Sequence, residues 1–194
     1  ALSHMSGTLL AIPIVNVHGF LNQSRYLPDG RDLNRCFPGS ATGSLAGRVA
    51  NTFVEQIVRK CTHGIDLHTG ARHRSNFPQI RADLRNPDVV TLTLGFGSMV
   101  VLHSKPTVGT LRHAATLAGI PAVTVEAGGP SELELAEVKH GVKGIETLLT
   151  TLGMVKKIRL WGDPEPVYYR SSWVRADNGG ILTSTFRMLD PEGN

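Results

Sequence analysis

Short apolar runs alternate with longer amphipathic segments over most of this sequence, and this alternation most constrains the fold. Short runs rich in β-branched residues predict strands buried on both faces. Apolar residues that recur every three or four positions predict helices with one buried face. Strands that alternate with helices favour a parallel or mixed sheet covered on both faces. We therefore expect a three-layer α/β domain, with helices on both faces of the sheet, over residues 6–155.

The individual elements follow from these periods. The predicted strands are Thr8–Val15, Ile65–His68, Met99–Leu102 and Ala122–Glu126. The predicted helices are Ser44–Lys60, Asp88–Phe96, Leu111–Ala118 and Ser131–Leu152. Ser131 and Glu134 have the spacing of a capping box, and Gly119 and Gly153 are suitable left-handed helix ends. Residues 16–43 have neither period and predict a long loop, a feature that is often functional in compact domains.

The pattern changes towards the end of the sequence. Residues 156–194 are rich in aromatic and β-branched residues and contain an Asn-Gly-Gly turn at Asn178–Gly180. This composition is typical of β-hairpins. The segment has too few strands to close a core, so we expect it to be the start of a small all-β domain.

Composition excludes several classes of protein. The 194 residues carry a net charge of +4, but the basic residues are scattered, which disfavours nucleic-acid binding. No apolar run reaches the roughly 18 residues of a membrane span. Two cysteines, Cys36 and Cys61, are too few for a disulfide framework and favour a cytoplasmic protein with reduced thiols. The sequence leaves open whether identical chains associate into a homo-oligomer.

Three short motifs carry candidate chemistry. The first, Asp32-Leu33-Asn34-Arg35, lies in the long loop, where Asn34 and Arg35 could together hold a carboxylate. A turn in which the polar side chains bond their own backbone is the alternative interpretation. Arginine is also suited to binding a small anionic substrate, which offers a use for the excess of basic residues.

The other two motifs end predicted strands. His68, in Asp66-Leu67-His68-Thr69-Gly70, stands where α/β proteins place ligands, and neutral imidazole is a usual zinc ligand. Asp66 should share a sheet face with His68, because side chains alternate along a strand. Glu126 ends an apolar strand beside Gly128 and is a candidate general base. An isolated histidine and an exposed acid, each without function, are the alternatives.

The three motifs in this order resemble the succinylglutamate desuccinylase/aspartoacylase family of the zinc carboxypeptidase superfamily. The resemblance covers residues 6–152, and residues 158–194 are similar to the start of that family's C-terminal β domain. It implies a zinc-carboxypeptidase-like fold and zinc-dependent hydrolysis of an amide bond in a small, carboxylate-bearing, N-acyl amino acid-like substrate. Within the superfamily, a carboxypeptidase acting on peptides is the alternative.

The resemblance also implies roles for single residues. His68 would be the third ligand of one zinc ion, and Glu126 would be the general acid/base. Asn34 and Arg35 would bind the substrate carboxylate, and Arg25 would polarise the scissile carbonyl. Arg112 would also face the substrate.

The sequence departs from the family at the metal site. The family's first two zinc ligands come from a His-Gly-x-Glu motif that precedes the strand opening this sequence, and no such motif is present. His18-Gly19 has Leu21 at the glutamate position, and His63-Gly64 has Asp66 there. We therefore expect a chain that is incomplete at both ends. A metal-free binding domain is the alternative that needs no missing segment.

Overall fold

One mixed five-stranded sheet organises the protein. The computed structural model describes residues 5–71, 74–97, 99–130, 133–156, 166–175 and 177–180. The sheet has the order β1-β4-β2-β3-β5, and β2 is antiparallel to β4 whereas the other neighbouring pairs are parallel. The strands are β1 Gly64–His68, β2 Asn76–Ala82, β3 Val100–His103, β4 Ala122–Gly128 and β5 Val167–Tyr168.

Helices cover both faces of this sheet, as the sequence predicted. They are α1 Val17–Leu21, α2 Leu45–Gln56, α3 Pro87–Leu94, α4 Leu111–Leu117 and α5 Leu135–Thr151. Side chains alternate along β4. Val123 and Val125 pack in the cluster formed with α3 and α5, whereas Ala122 packs in the cluster formed with α2 and α4. The three-layer prediction is confirmed.

The helix boundaries differ from the predicted ones for local reasons. Ser44 caps α2 by accepting a hydrogen bond from the Gly47 backbone N–H at 3.2 Å. The helix ends at Gln56, and a separate 3-10 turn, Val58–Lys60, follows. Helix α5 begins four residues later than predicted, with Glu134 at the N-cap, and Ser131 lies outside the described residues. The Glu134 carboxylate accepts instead from the Gly129 N–H at 2.7 Å.

The first predicted strand is wrong. Thr8–Val15 is apolar but belongs to no strand, and Leu10 is 58% exposed. Pro13 cannot donate a backbone hydrogen bond, and none of the described strands pairs with this segment. Just before this segment, the Ser6 backbone N–H donates a hydrogen bond to the Met154 carbonyl at 2.7 Å. Apolar composition alone therefore did not decide its conformation.

Strand β2 was not predicted. It contains Pro78, and its register against β4 shifts between Asn76 and Gln79, so its sequence lacks a clean two-residue period. Strand β5, from the predicted all-β segment, extends the same sheet by pairing with β3. Residues 157–165 and 181–194 lie outside the described part, and the division into two domains stays a prediction.

None of the helices in the described part is long and apolar enough to cross a membrane.

Candidate active site

The ends of β1 and β4 bring two of the predicted site residues together. The strands run parallel, with Asp66 paired with Thr124 and His68 paired with Glu126. Because side chains alternate along each strand, these four residues share one face of the sheet. All four line the same cavity. The sequence-based expectation that Asp66 and His68 share a face is confirmed.

Asp66 orients the imidazole of His68. The His68 Nε2 atom lies 2.8 Å from Asp66 Oδ2. Burial of the ring disfavours its charged form, but the hydrogen bond to Asp66 and the charges of Asp66 and Glu126 outweigh burial and raise the pKa of His68. A histidine held by a carboxylate in this way has a fixed orientation.

Two side chains of β2 approach the Glu126 carboxylate, whose side chain is 13% exposed. The Asn76 amide donates from Nδ2 to Glu126 Oε2 at 2.7 Å. The Arg81 Nε atom lies 3.7 Å from Glu126 Oε1. The carboxylate therefore has an amide on one side and a guanidinium on the other.

Asp32 organises the loop that carries the first motif. Its Oδ1 accepts from the Asn34 backbone N–H at 3.0 Å and caps the 3-10 turn Leu33–Arg35. Its Oδ2 accepts from Arg25 Nε at 2.8 Å. The turn interpretation of this motif is therefore correct for Asp32, and the same contacts bring Arg25 to the cavity.

Asn34 and Arg35 contact the start of α4 and the turn before it. The Leu111 backbone N–H donates to Asn34 Oδ1 at 2.9 Å, and Asn34 lines the cavity. Gly109 has a φ of +87°, and a Cβ there would lie 2.7 Å from the Arg35 carbonyl oxygen. A glycine at position 109 is what lets the two segments approach so closely.

Arg112 is buried, with 8% of its surface exposed. Its guanidinium donates to the Ser104 carbonyl at 3.1 Å, to Ser104 Oγ at 2.9 Å and to the Lys105 carbonyl at 3.3 Å. Burial and the charge of Arg81 lower its pKa. Arg112 thus holds the turn after β3 as well as lining the cavity.

These residues surround one cavity of about 550 Å³. All six predicted site residues line it, namely Arg25, Asn34, Arg35, His68, Arg112 and Glu126. Sequence reasoning missed further residues of the lining, among them Arg74, Asn76, Arg81 and Trp173. Arg81 and Gln79 both belong to strand β2, which was not predicted from the sequence. Predicting this strand would have been the way to identify Arg81.

An aromatic side chain stands at the exposed side of the cavity. Trp173, which is 69% exposed, follows β5. The guanidinium carbon of Arg74 lies 6.0 Å from the centroid of its ring, and that of Arg175 lies 5.8 Å away. Both distances fall in the range of cation–π contacts.

The described residues do not form a complete metal site. Among them, no group of three or more histidine, cysteine, aspartate or glutamate side chains is placed to hold a metal ion. His68 and Glu126 are neighbours, but His68 Nε2 is engaged by Asp66. Catalytic zinc needs three protein ligands, so the residues present do not fit the ion by themselves.

Comparison with known proteins shows relatives of this chain. N-alpha-acetyl-L-2,4-diaminobutyric acid deacetylase from Halomonas elongata is 24% identical over 204 residues, covering 96% of this chain and 58% of that protein. The chain therefore spans little more than half the length of this relative.

Solved structures show the same fold. A succinylglutamate desuccinylase/aspartoacylase from Rhodobacter sphaeroides superposes with a TM-score of 0.68 at 25% identity, covering 76% of this chain and 45% of that one. The ectoine utilisation protein EutE from Ruegeria pomeroyi, in a product-bound structure, gives a TM-score of 0.75 at 22% identity, covering 83% and 52%. Residues 2–152 match the model of one family along their length. The chain belongs to the family of succinylglutamate desuccinylase/aspartoacylase catalytic domains.

Proposed function

We propose that the complete protein containing this chain hydrolyses the amide bond of a small N-acyl amino acid-like substrate that bears a carboxylate. The observation that carries the proposal is the pairing of His68 with Glu126 at the floor of an arginine-lined cavity. Membership of a deacylase family and a deacetylase relative support the same reaction.

The charge of the cavity supports a carboxylate on the substrate. Five arginines line the cavity, against the two carboxylates of Asp66 and Glu126. Within the described residues, three of the arginines lie within 4.0 Å of no carboxylate: Arg35, Arg74 and Arg112. An arginine that is not paired with a protein carboxylate is suited to a contact with a substrate carboxylate. The Asn34 amide, held by Leu111, adds donors beside Arg35.

In the proposed reaction Glu126 moves the proton. It takes a proton from the attacking water and returns it to the leaving nitrogen as the amide bond breaks. Arg25 stabilises the negative charge that develops on the carbonyl oxygen. Asn34 and Arg35 hold the substrate carboxylate so that the amide lies over Glu126.

A zinc ion belongs to this proposal through the family resemblance. His68 would be one ligand, and a zinc ion would supply the activated water. The described residues provide no full ligand set, so the remaining ligands would have to come from outside them. Zinc content of the complete protein and of this chain, measured side by side by elemental analysis, tests this. One zinc per complete protein and none here is the expected result.

The decisive experiment compares Glu126→Gln with wild type in the complete protein. Release of free amine from N-acetyl and N-succinyl amino acids should fall to background, while zinc content stays unchanged. Glu55→Gln, which removes an exposed carboxylate of α2 paired with Arg59, is the matched control and should keep full activity. Turnover by the Glu126→Gln variant would refute the assignment.

A metal-free binding domain is the second candidate, favoured by the absence of a metal ligand group among the described residues. It predicts no zinc in either protein after reconstitution, and binding of N-acyl amino acids without amine release.

A further inference from the structure

We propose that Asn76 and Arg81 are positioning residues for the Glu126 carboxylate, and that an extra residue in β2 aims Asn76 at it. This inference rests on the proposed function, in which Glu126 transfers the proton. Neither residue belongs to the motifs by which the site was predicted. Both line the cavity rather than the core.

The pairing of β2 with β4 contains the extra residue. Asn76 pairs with Gly128 and Gln79 pairs with Glu126, so β2 advances three residues while β4 advances two. A regular ladder would have placed Phe77, not Asn76, opposite Gly128. Such a bulge turns the residues before it to the other face of the sheet.

The extra residue changes which side chains of β2 face the cavity. Arg81 pairs with Thr124, which lines the cavity, so the odd-numbered side chains at this end of β2 face the cavity. Without the extra residue, the even-numbered Asn76 would point away from it. The bulge puts Asn76 and Arg81 on the same face, on either side of Glu126.

The contact follows from this placement. Asn76 stands opposite Gly128, two residues along β4 from Glu126. The resulting bond from Asn76 Nδ2 to Glu126 Oε2 is 2.7 Å long. This bond fixes one oxygen of the carboxylate.

Arg81 faces the other oxygen. Its Nε atom is buried, lies 3.7 Å from Glu126 Oε1 and has no hydrogen-bond partner within the part of the chain described. Its charge therefore acts on Glu126 without a competing protein acceptor at Nε. With one oxygen bonded to Asn76 and the charge of Arg81 beside the other, the carboxylate favours one orientation, and proton transfer depends on such a fixed geometry.

The test uses steady-state kinetics of the complete protein with an N-acyl amino acid. Asn76→Ala and Arg81→Met should each lower kcat by about 10- to 100-fold, because a misplaced base costs rate rather than affinity, and KM should change by less than about twofold. The isosteric Asn76→Asp places an acceptor where a donor is needed and should lower kcat at least as much. Arg81→Lys keeps the charge and should recover part of the loss.

Arg48→Met is the matched control for Arg81→Met, because Arg48 is exposed on α2 and does not line the cavity. It should leave kcat unchanged. A crystal structure of the Asn76→Ala chain supplies a readout independent of activity, and the Glu126 side chain should leave its present rotamer.

The outcomes separate the two proposals. An active wild type whose Asn76→Ala and Arg81→Met variants keep kcat, or only raise KM, would overturn the positioning role and leave the function standing. A wild type that releases no amine would overturn the proposed function. An unmoved Glu126 in the Asn76→Ala crystal structure would overturn the positioning role whatever the activity.

Discussion

His68 and Glu126 occupy paired positions at the ends of the neighbouring parallel strands β1 and β4. Their placement follows from the fold, because parallel strands end together at one edge of the sheet. The two residues are 58 positions apart in the sequence (126 − 68), yet the register of the two strands places them side by side. A site built on strand ends in this way is held more rigidly than one built on loops.

Gly109 is expected to tolerate no side chain. Gly109→Ala would place a methyl group 2.7 Å from the Arg35 carbonyl oxygen and require alanine at a φ of +87°. We expect a loss of about 1–3 kcal/mol in the free energy of unfolding and a raised KM from displacement of Arg35. Denaturant unfolding and kinetics of the complete protein measure the two effects. Gly141→Ala, at an open position on α5, is the control, and equal behaviour of the two variants would contradict the prediction.

Substitution of Arg112 should lower stability, whereas substitution of Arg35 should weaken substrate binding. Arg112→Met leaves the carbonyls of Ser104 and Lys105 without their buried donor, so it should cost about 1–3 kcal/mol of unfolding free energy. Arg35 is exposed, and Arg35→Met should change that quantity by less than about 0.5 kcal/mol while weakening substrate binding. Chemical denaturation of both variants decides the matter. A larger loss for Arg35→Met would show that Arg112 has been given the wrong role.

Asp32 should affect activity because it holds Arg25 in place. Asp32→Ala removes both the cap on the 3-10 turn and the partner of Arg25, so we expect a loss of about 1 kcal/mol and lower activity of the complete protein. Asp32→Asn can still accept from the Asn34 N–H but lacks the charge that pairs with Arg25. It should therefore retain stability while losing activity. If both variants kept full activity, the pair would have no part in holding Arg25.

Acid should weaken one ion pair on the surface. Arg85 lowers the pKa of Asp83 from 3.8 to about 2, chiefly through their side-chain hydrogen bond. A depressed carboxyl pKa stabilises the folded state above the unfolded value and loses that stabilisation as pH falls through about 2. Asp83→Asn should thus lower the Tm only slightly at pH 6, because the exposure of Arg85 weakens the pair, and leave it unchanged below about pH 2. A difference that persisted at low pH would contradict this sign.

The part of the site that could be predicted lies where local sequence decides structure. Strands β1 and β4 are short apolar runs that end in polar residues, so His68 and Glu126 could be placed at strand ends from the sequence. Thr8–Val15 has the same apolar composition but forms no strand. Whether a segment pairs with a neighbouring strand depends on distant parts of the chain, and its own composition does not reveal this. Asn76 was hidden because the bulge and Pro78 break the alternation by which a strand is recognised.

The hydrogen bond between Asn34 and the Leu111 N–H has a consequence for how the protein fails on heating. It joins segments 77 residues apart, and the same loop buries Leu33 and Phe37 in the core cluster with α2 and donates from the Phe37 N–H to the Gly109 carbonyl at 3.0 Å. The loop should therefore open only together with the core that it helps to form. Affinity for ligand should then disappear at the same temperature as the circular dichroism of the helices.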